Sequence, residues 1–194
     1  MNHLAHAWLA GDDEALLIGS LLGDFWRGAP DPQWPPGIAD GVRLHRHVDS
    51  FTDAHPAVVA ARALFQAPFR RYAGILIDVW FDHLLAVDFE RRCGRPLGEF
   101  ATQVYACLRS ADPGLPASFH LFAARAAQYD LLVAYADREA LDGVFARLSE
   151  RLSRANPVAH AVPVLESLAG PLARSFEALW HDLAPLRGRR VPPR

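Results

Sequence analysis

The chain has 194 residues, of which 51% are hydrophobic, and its 20 basic and 22 acidic side chains leave a formal net charge of -2. This length and composition predict a globular protein that can bury a substantial core. The near-neutral charge argues against a nucleic-acid-binding protein, and no apolar run approaches the ~20 residues that a membrane-spanning helix needs.

Apolar residues recur at helical spacing along nearly the whole chain, and no strand-like alternation appears. Prolines and glycines divide the pattern into helices predicted over residues 2–10, 13–26, 38–51, 58–65, 69–92, 97–110, 116–135, 137–154 and 157–184, the last of them split at Gly170-Pro171. We therefore expect an all-α fold with a single helical domain over residues 1–186. The Arg- and Pro-rich segment 187–194 is predicted to be a flexible tail.

Two sequence features concern the cellular setting. Cys93 and Cys107 are the only cysteines and form no CxxC motif, which fits passive thiols in a reducing compartment. The N-terminal residues lack the basic and long apolar regions of a secretory signal. Together these features predict a cytoplasmic protein without a membrane partner.

Histidine and aspartate are concentrated in the N-terminal half, which holds six of the nine histidines. His45 and Asp49 are four residues apart, and so are Asp78 and Asp82, which places each pair on one helix face. Both pairs lie among large apolar residues, where an unpaired charge is unfavourable. Imidazole and carboxylate groups that converge in such surroundings predict a site for Mn²⁺, Fe²⁺ or Zn²⁺.

A second interpretation needs no metal. The buried aspartates could instead be helix caps, or ion-pair partners of Arg27, Arg46 or Arg71. The adjacent residues Asp82 and His83 diverge by about 100° on a helix, so one would bind a metal while the other acts beside it.

Asp24 follows Gly23 at the end of a predicted helix, where a small residue allows a close approach. Arg27 lies about one turn further on. A carboxylate and a guanidinium at this spacing could hold a metal and the phosphate that it activates, or could form a simple surface ion pair.

Four segments resemble the acyl carrier protein phosphodiesterase family, also called acyl carrier protein hydrolases. In chain order they read NHLAH, GSLLGDFWRG, LHRHVDSFTD and RRYAGILIDVWFDH, at residues 2–6, 19–28, 44–53 and 70–83. The resemblance is specific over residues 1–90. Because this family is a divergent relative of the HD-domain metal phosphohydrolases, the resemblance implies an HD-domain-like fold with a metal centre in the N-terminal half.

The resemblance also implies a reaction, namely hydrolysis of the phosphodiester that joins 4′-phosphopantetheine to a serine of holo-acyl carrier protein. Mn²⁺ is the expected metal, with Mg²⁺, Fe²⁺ and Zn²⁺ as alternatives. Asp24 matches the family's key metal-binding and catalytic aspartate. The metal ligands are expected among His6, Asp24, His45, Asp78, Asp82 and His83.

The catalytic side chains are expected among Asp24, Asp49, His83, Arg27 and Arg46. In this scheme Asp49 or His83 transfers protons, and the two arginines neutralise charge on the phosphate. His3 stands where relatives usually carry an apolar residue, and it is therefore expected to lie outside the site.

The carrier protein is macromolecular and, by the same resemblance, acidic. An arginine patch could steer its association, and the candidates are Arg43, Arg46, Arg62, Arg70 and Arg71. The alternative is that these arginines have no partner and simply form a solvent-exposed helix face. Two other functions stay open from the sequence: a phosphohydrolase acting on a small phosphodiester or nucleotide, and a non-catalytic helical metal-binding module.

Overall fold

The structure, a computed structural model, describes residues 2–192; residue 1 and residues 193–194, the end of the predicted tail, lie outside that range. The described chain forms a single all-α domain without a β-strand, as predicted. No helix in it combines the length and apolar character that a membrane crossing requires. The helices are α1 His3–Leu9, α2 Glu14–Leu22, α3 Pro36–Ala54, α4 Pro56–Ala63, α5 Ala73–Val87, α6 Phe89–Cys93, α7 Leu97–Arg109, α8 Ala117–Gln128, α9 Leu131–Ala134, α10 Ala140–Arg151, α11 Val162–Ser167 and α12 Ala169–Leu183.

Three long predicted helices are divided in the structure. The segment predicted over 69–92 becomes a 3₁₀ turn at Arg70–Tyr72 followed by α5 and α6. The segment predicted over 116–135 is interrupted at Asp130, whose φ of 46° is left-handed. The last segment is divided at Leu168 rather than at Gly170-Pro171, because Pro171 lies in the first turn of α12, where a missing N–H group is tolerated.

Helices α2 and α3 approach each other closely through two glycines. A Cβ atom on Gly19 would lie 2.1 Å from the carbonyl oxygen of Ile38, and one on Gly41 would lie 2.3 Å from the carbonyl oxygen of Leu16. Any side chain at either position would therefore push the helices apart. This contact holds the end of α2 against the middle of α3.

Helix α1 is buried in the core and is capped by a side chain from α5. The Asp82 carboxylate accepts backbone N–H bonds from Asn2 (3.3 Å), Leu4 (2.7 Å) and Ala5 (3.3 Å), and it is fully buried. Burial raises the pKa of Asp82 to about 7, although the three N–H groups favour the charged form. A seven-residue helix is too short to persist alone, so α1 depends on such contacts.

The segment predicted to be a flexible tail begins with residues that contact the N-terminal helices. The Arg187 guanidinium donates to Asp12 at 2.8 Å, and Arg190 donates to Asp13 and Asp40 at the same distance. Each contact joins an arginine to a carboxylate near the start of α2 or on α3. These contacts place Arg187 and Arg190 against the domain, and the flexibility of segment 187–194 stays a prediction.

Replacing Asp82 with alanine is expected to destabilise the protein by about 2–4 kcal/mol, because three backbone N–H groups lose their acceptor. Denaturant unfolding followed by circular dichroism measures this change. Asp142→Ala is the control, because Asp142 is largely exposed and its 3.9 Å ion pair with Arg138 should contribute little. Equal stability of the two variants would contradict the role of Asp82 as a cap.

Candidate metal centre

Two histidines and one aspartate from α1 and α3 converge in the structure. His6 Nε2 lies 3.1 Å from Asp49 Oδ1, and His45 Nε2 lies 3.1 Å from Asp49 Oδ2. The potential ligand atoms of these residues all lie within 4.8 Å of one another, the one such group of three or more within residues 2–192. We call His6, His45 and Asp49 the His–Asp cluster. The predicted pairing of His45 with Asp49 along one helix is confirmed.

Asp24 borders the cluster and links it to His3. Its Oδ1 atom lies 3.6 Å from His45 Nε2, and its Oδ2 atom lies 3.5 Å from His3 Nδ1. Asp24 is in the 3₁₀ turn after α2, and its side chain is 45% exposed, so it forms the open side of the site. His3 was expected to lie outside the site, and the structure corrects that expectation. His3 and His6 are three residues apart on α1, a spacing that could have indicated their shared face.

The ring of His45 is held in one orientation by a backbone carbonyl. His45 Nδ1 lies 2.8 Å from the carbonyl oxygen of Ser20, which can only accept a hydrogen bond, so Nδ1 carries the hydrogen. The Nε2 lone pair of a neutral ring then points at the carboxylates of Asp49 and Asp24. This is unfavourable unless a proton or a metal cation lies between them. Metal-binding histidines typically donate their other N–H to a carbonyl in this way.

Burial and charge set the protonation states of the cluster. Burial lowers the pKa of His45, but the Asp49 and Asp24 carboxylates outweigh this effect and hold the pKa above its ordinary value. Burial and the neighbouring His45 lower the pKa of His6 to about 4. Burial opposes the charge on Asp49, but the two imidazoles keep its pKa far below the usual range. Without a cation, His45 therefore carries the proton that balances Asp49.

The donor set fits a divalent transition metal. Ligand atoms ~2.1 Å from one ion are about 3.0 Å apart at a right angle and about 3.4 Å apart at a tetrahedral angle. The two 3.1 Å separations in the cluster, one to each oxygen of Asp49, lie in this range, which they share with hydrogen bonds. Neutral imidazole nitrogen together with carboxylate oxygen suits Mn²⁺, Fe²⁺ and Zn²⁺. His6, His45 and Asp49 could therefore hold such an ion.

Two residues at the end of α2, Gly23 and Ser20, position the histidines of the cluster. A Cβ atom on Gly23 would lie 2.3 Å from Cγ of His45, so only glycine leaves space for the ring. The Ser20 hydroxyl donates to the carbonyl oxygen of His6 at 3.1 Å, while the Ser20 carbonyl accepts from His45. Ser20 thus positions both histidines, a role that sequence reasoning missed because Ser20 looks like an ordinary helical residue.

The remaining predicted ligands lie on α5 and differ in their surroundings. Burial raises the pKa of Asp78, and the charge of Asp49 adds to the shift; Asp78 is not part of the His–Asp cluster, and its role as a metal ligand stays a prediction. Asp82 was predicted as a metal ligand, but its carboxylate is engaged by three backbone N–H groups, so the helix-cap interpretation is correct for it. His83 Nδ1 donates to the carbonyl oxygen of Tyr135 at 2.7 Å, and burial lowers the pKa of His83.

Tyr135 is a further residue that the sequence did not indicate. Its backbone carbonyl orients His83, and its buried hydroxyl accepts a 2.9 Å hydrogen bond from the side chain of Asn2, at the start of α1. Nothing in the local sequence of α9 predicts this contact, because its partners are 133 and 52 residues away.

The predicted arginines divide into paired and unpaired side chains. Arg43 pairs with Asp40 and Arg62 pairs with Asp53, so these charges are neutralised locally. Arg46 donates to the carbonyl oxygen of Trp26 at 3.1 Å. The other arginines are exposed, and within the described chain they form no ion pair with a carboxylate; they are Arg27, Arg70 and Arg71. The alternative in which Arg27, Arg46 or Arg71 neutralises a buried aspartate is therefore wrong.

The low pKa of His6 predicts a pH-dependent stability of the metal-free protein. Because its pKa of about 4 in the folded state lies below the ordinary 6.5, the contribution of His6 is complete above pH 6.5 and is lost as the pH falls towards 4. The unfolding free energy of the parent should therefore fall more steeply over this window than that of His6→Gln, by up to about 3 kcal/mol. Both proteins are treated with a chelator. If their unfolding free energies then fall equally with pH, the result would contradict a neutral His6 in the folded state.

Comparison with known proteins identifies the family. Residues 1–183 match the acyl carrier protein phosphodiesterase family, so the resemblance extends well beyond residues 1–90. A protein of Photorhabdus laumondii named acyl carrier protein phosphodiesterase is 31% identical over 188 residues, which cover 95% of this chain and 92% of the relative. A protein of the same name from Yersinia pestis is 34% identical over 189 residues, covering 96% and 90%. A third, from Serratia proteamaculans, is 45% identical over 91 residues, covering 47% of each chain.

No solved structure shows significant similarity to the chain, so the relation to HD-domain proteins stays a prediction. The family match, in contrast, spans nearly the whole chain and includes every residue of the His–Asp cluster. The chain therefore belongs to the acyl carrier protein phosphodiesterase family of enzymes.

Proposed function

We propose that this protein hydrolyses the phosphodiester that links 4′-phosphopantetheine to a serine of holo-acyl carrier protein, with a divalent cation bound at the His–Asp cluster. Water adds to phosphorus, and the serine oxygen leaves and takes up a proton, which yields apo-carrier protein and 4′-phosphopantetheine. The names of the relatives support the substrate class. The observation that carries the metal-assisted mechanism is the orientation of His45, whose Nδ1–H is held by the Ser20 carbonyl so that Nε2 is directed at Asp49.

In this proposal His6, His45 and Asp49 hold the cation, for which Mn²⁺ is the expected metal, and Asp24 borders it on the exposed side. When bound, such a cation supplies positive charge to the phosphate oxygens and lowers the pKa of the attacking water. The Ser20 carbonyl keeps His45 in the tautomer that ligation requires.

Asp24 is the residue that we assign to positioning the attacking water. Its carboxylate borders the cluster through the 3.6 Å approach to His45, and its 45% exposure leaves it open to substrate. Arg27 follows it by three residues and is exposed, so its guanidinium is available to a phosphate oxygen. Proton transfer by His83 stays a prediction, because its contacts lie with Trp80 and Tyr135 rather than with the cluster.

The carrier protein needs a docking surface, and we place it at the start of α5. Arg70 and Arg71 are exposed there, and Ile75 exposes 37% of its surface one turn later. Ile75, Asp78 and Asp82 are spaced by three and four residues and so lie on one face of α5, whose Asp82 caps the helix that carries His6. An acidic carrier protein docked on the two arginines would bring its modified serine to the same side.

A cytoplasmic location is part of this proposal. Cys93 and Cys107 are both free thiols, as expected in a reducing compartment. Burial raises the pKa of Cys93 to about 12 and that of Cys107 to about 11. Both thiols therefore stay protonated at neutral pH, and neither is suited to be a nucleophile.

Incubation of purified holo-acyl carrier protein with the enzyme and Mn²⁺ is expected to remove the mass of the prosthetic group, and mass spectrometry measures this loss. Asp24→Ala should lower the rate by about 10³-fold or more while leaving the helical fold intact, because Asp24 is exposed and caps no helix. Asp31→Ala, in the exposed loop before α3, is the matched control and should retain full activity.

The same assay decides between the proposed function and its two alternatives. Activity on small phosphodiesters or nucleotides, with none on holo-carrier protein, would move the assignment to a small-molecule phosphohydrolase. Tight metal binding without hydrolysis of either substrate class would favour a non-catalytic metal-binding module.

Charge reversal at the proposed docking surface should weaken substrate binding without affecting chemistry. Arg70→Glu combined with Arg71→Glu is expected to raise KM about 10-fold, and this effect should shrink at high salt, since long-range attraction is screened. The control is Arg109→Glu with Arg125→Glu, which changes the net charge equally at exposed positions on α7 and α8. A similar KM increase in both double variants would argue against a localised docking surface.

A further inference from the structure

Histidines and aspartates alternate in an unbroken series that is longer than the His–Asp cluster. Each of the two carboxylates lies between two imidazole nitrogens, with one oxygen directed at each. Asp49 faces His6 and His45 at 3.1 Å, and Asp24 faces His45 at 3.6 Å and His3 at 3.5 Å. Both carboxylates approach His45 at the same nitrogen, Nε2, so a cation held by His6, His45 and Asp49 leaves two further donor atoms unused, Asp24 Oδ2 and His3 Nδ1.

We propose that His3 and Asp24 form a second divalent-cation position beside the one held by His6, His45 and Asp49, with Asp24 as the carboxylate shared between the two. The inference rests on the metal-dependent function proposed above and deepens it. It assigns a specific role to His3, the residue at this site that sequence reasoning placed outside it.

The state of the His3 side chain supports this assignment. Its Nδ1 atom is buried and has no hydrogen-bond partner within the described residues, although it faces the Asp24 carboxylate. The separation of 3.5 Å is longer than a charge-assisted hydrogen bond, which is ~2.8 Å, and close to the ~3.4 Å between two ligands of one tetrahedral ion. A buried imidazole nitrogen without a partner costs stability, and a bound cation would remove that cost.

Packing holds His3 in this position. Its ring lies 4.6 Å from the ring of Phe122 on α8, and Phe122 lies 5.0 Å from Phe25, the neighbour of Asp24 in the 3₁₀ turn. The aromatic contacts thus hold the ring of His3 and the turn that carries Asp24. His3 is also on the face of α1 that carries His6, one turn away.

A two-metal site needs a carboxylate that can contact both ions. The two cations of such a site are typically about 3.5–4 Å apart, and the pair stabilises both the attacking and the leaving oxygen of a phosphodiester. Asp24 presents one oxygen to each side, as a bridging carboxylate must.

The experiment is a titration of tag-free, metal-free protein with Mn²⁺, followed by calorimetry and by electron paramagnetic resonance. The parent should bind about two ions per chain and show the spectrum of spin-coupled Mn²⁺. His3→Phe, which keeps a ring against Phe122 but lacks the nitrogen, should bind about one ion and lose the coupled spectrum. The matched control is His120→Phe, because His120 also has a buried nitrogen without a partner and lies near a phenylalanine ring, 5.9 Å from Phe119.

Several outcomes would overturn the inference. They are a parent that binds one ion, a His3→Phe variant that still binds two, and a His120→Phe variant that loses one as well. Circular dichroism checks that each variant is folded. If His3→Phe does not fold, His3→Gln is used in its place. Should neither variant fold, the stoichiometry and spectrum of the parent decide the question.

Release of 4′-phosphopantetheine, measured on the same samples, separates this inference from the proposed function. A parent that binds one ion and hydrolyses holo-carrier protein refutes the second position and leaves the function standing. A parent that binds two ions, the second of them lost in His3→Phe, but hydrolyses no carrier protein supports the second position and refutes the function.

Discussion

The buried carboxylate of Asp82 at the start of α1 is the interaction on which the site depends. Helix α1 has seven residues, too few to hold its shape alone, yet it carries both His3 and His6. Asp82 accepts the N–H groups that this helix cannot satisfy internally, and so joins α1 to α5 in one orientation. A shift of this helix would move two of the three histidines away from the aspartates that they face.

The same contact shows why a buried aspartate need not be a ligand. Asp78 and Asp82 share one face of α5, but Asp82 binds backbone N–H groups while Asp78 lies within the electrostatic field of Asp49. Two carboxylates one turn apart on a helix can thus have different surroundings, and their spacing alone does not distinguish a helix cap from a metal ligand. Burial raises the pKa of both, since it disfavours the charged form in each case.

The pKa shifts within the His–Asp cluster have different directions, as is typical of functional sites. Burial disfavours a proton on His6, whereas the imidazoles favour the charge on Asp49 and the carboxylates favour a proton on His45. In the absence of a cation, the proton on His45 therefore lies between two carboxylates. A divalent cation would replace that proton with a larger charge and bind all three side chains.

The sequence by itself determined the helical content, the family and the pairing of His45 with Asp49. Each of these depends on apolar periodicity, on ordered motifs or on the separation of two residues along one helix, and such patterns are local. Tertiary structure alone decided which helices converge on that pair. The close contact of Gly19 with Gly41 places Asp24 beside His45, and the capping of α1 by Asp82 places His3 and His6 beside the aspartates. Contacts between residues 21 to 80 positions apart are set by the packing of whole helices, which spacing along a single helix does not encode.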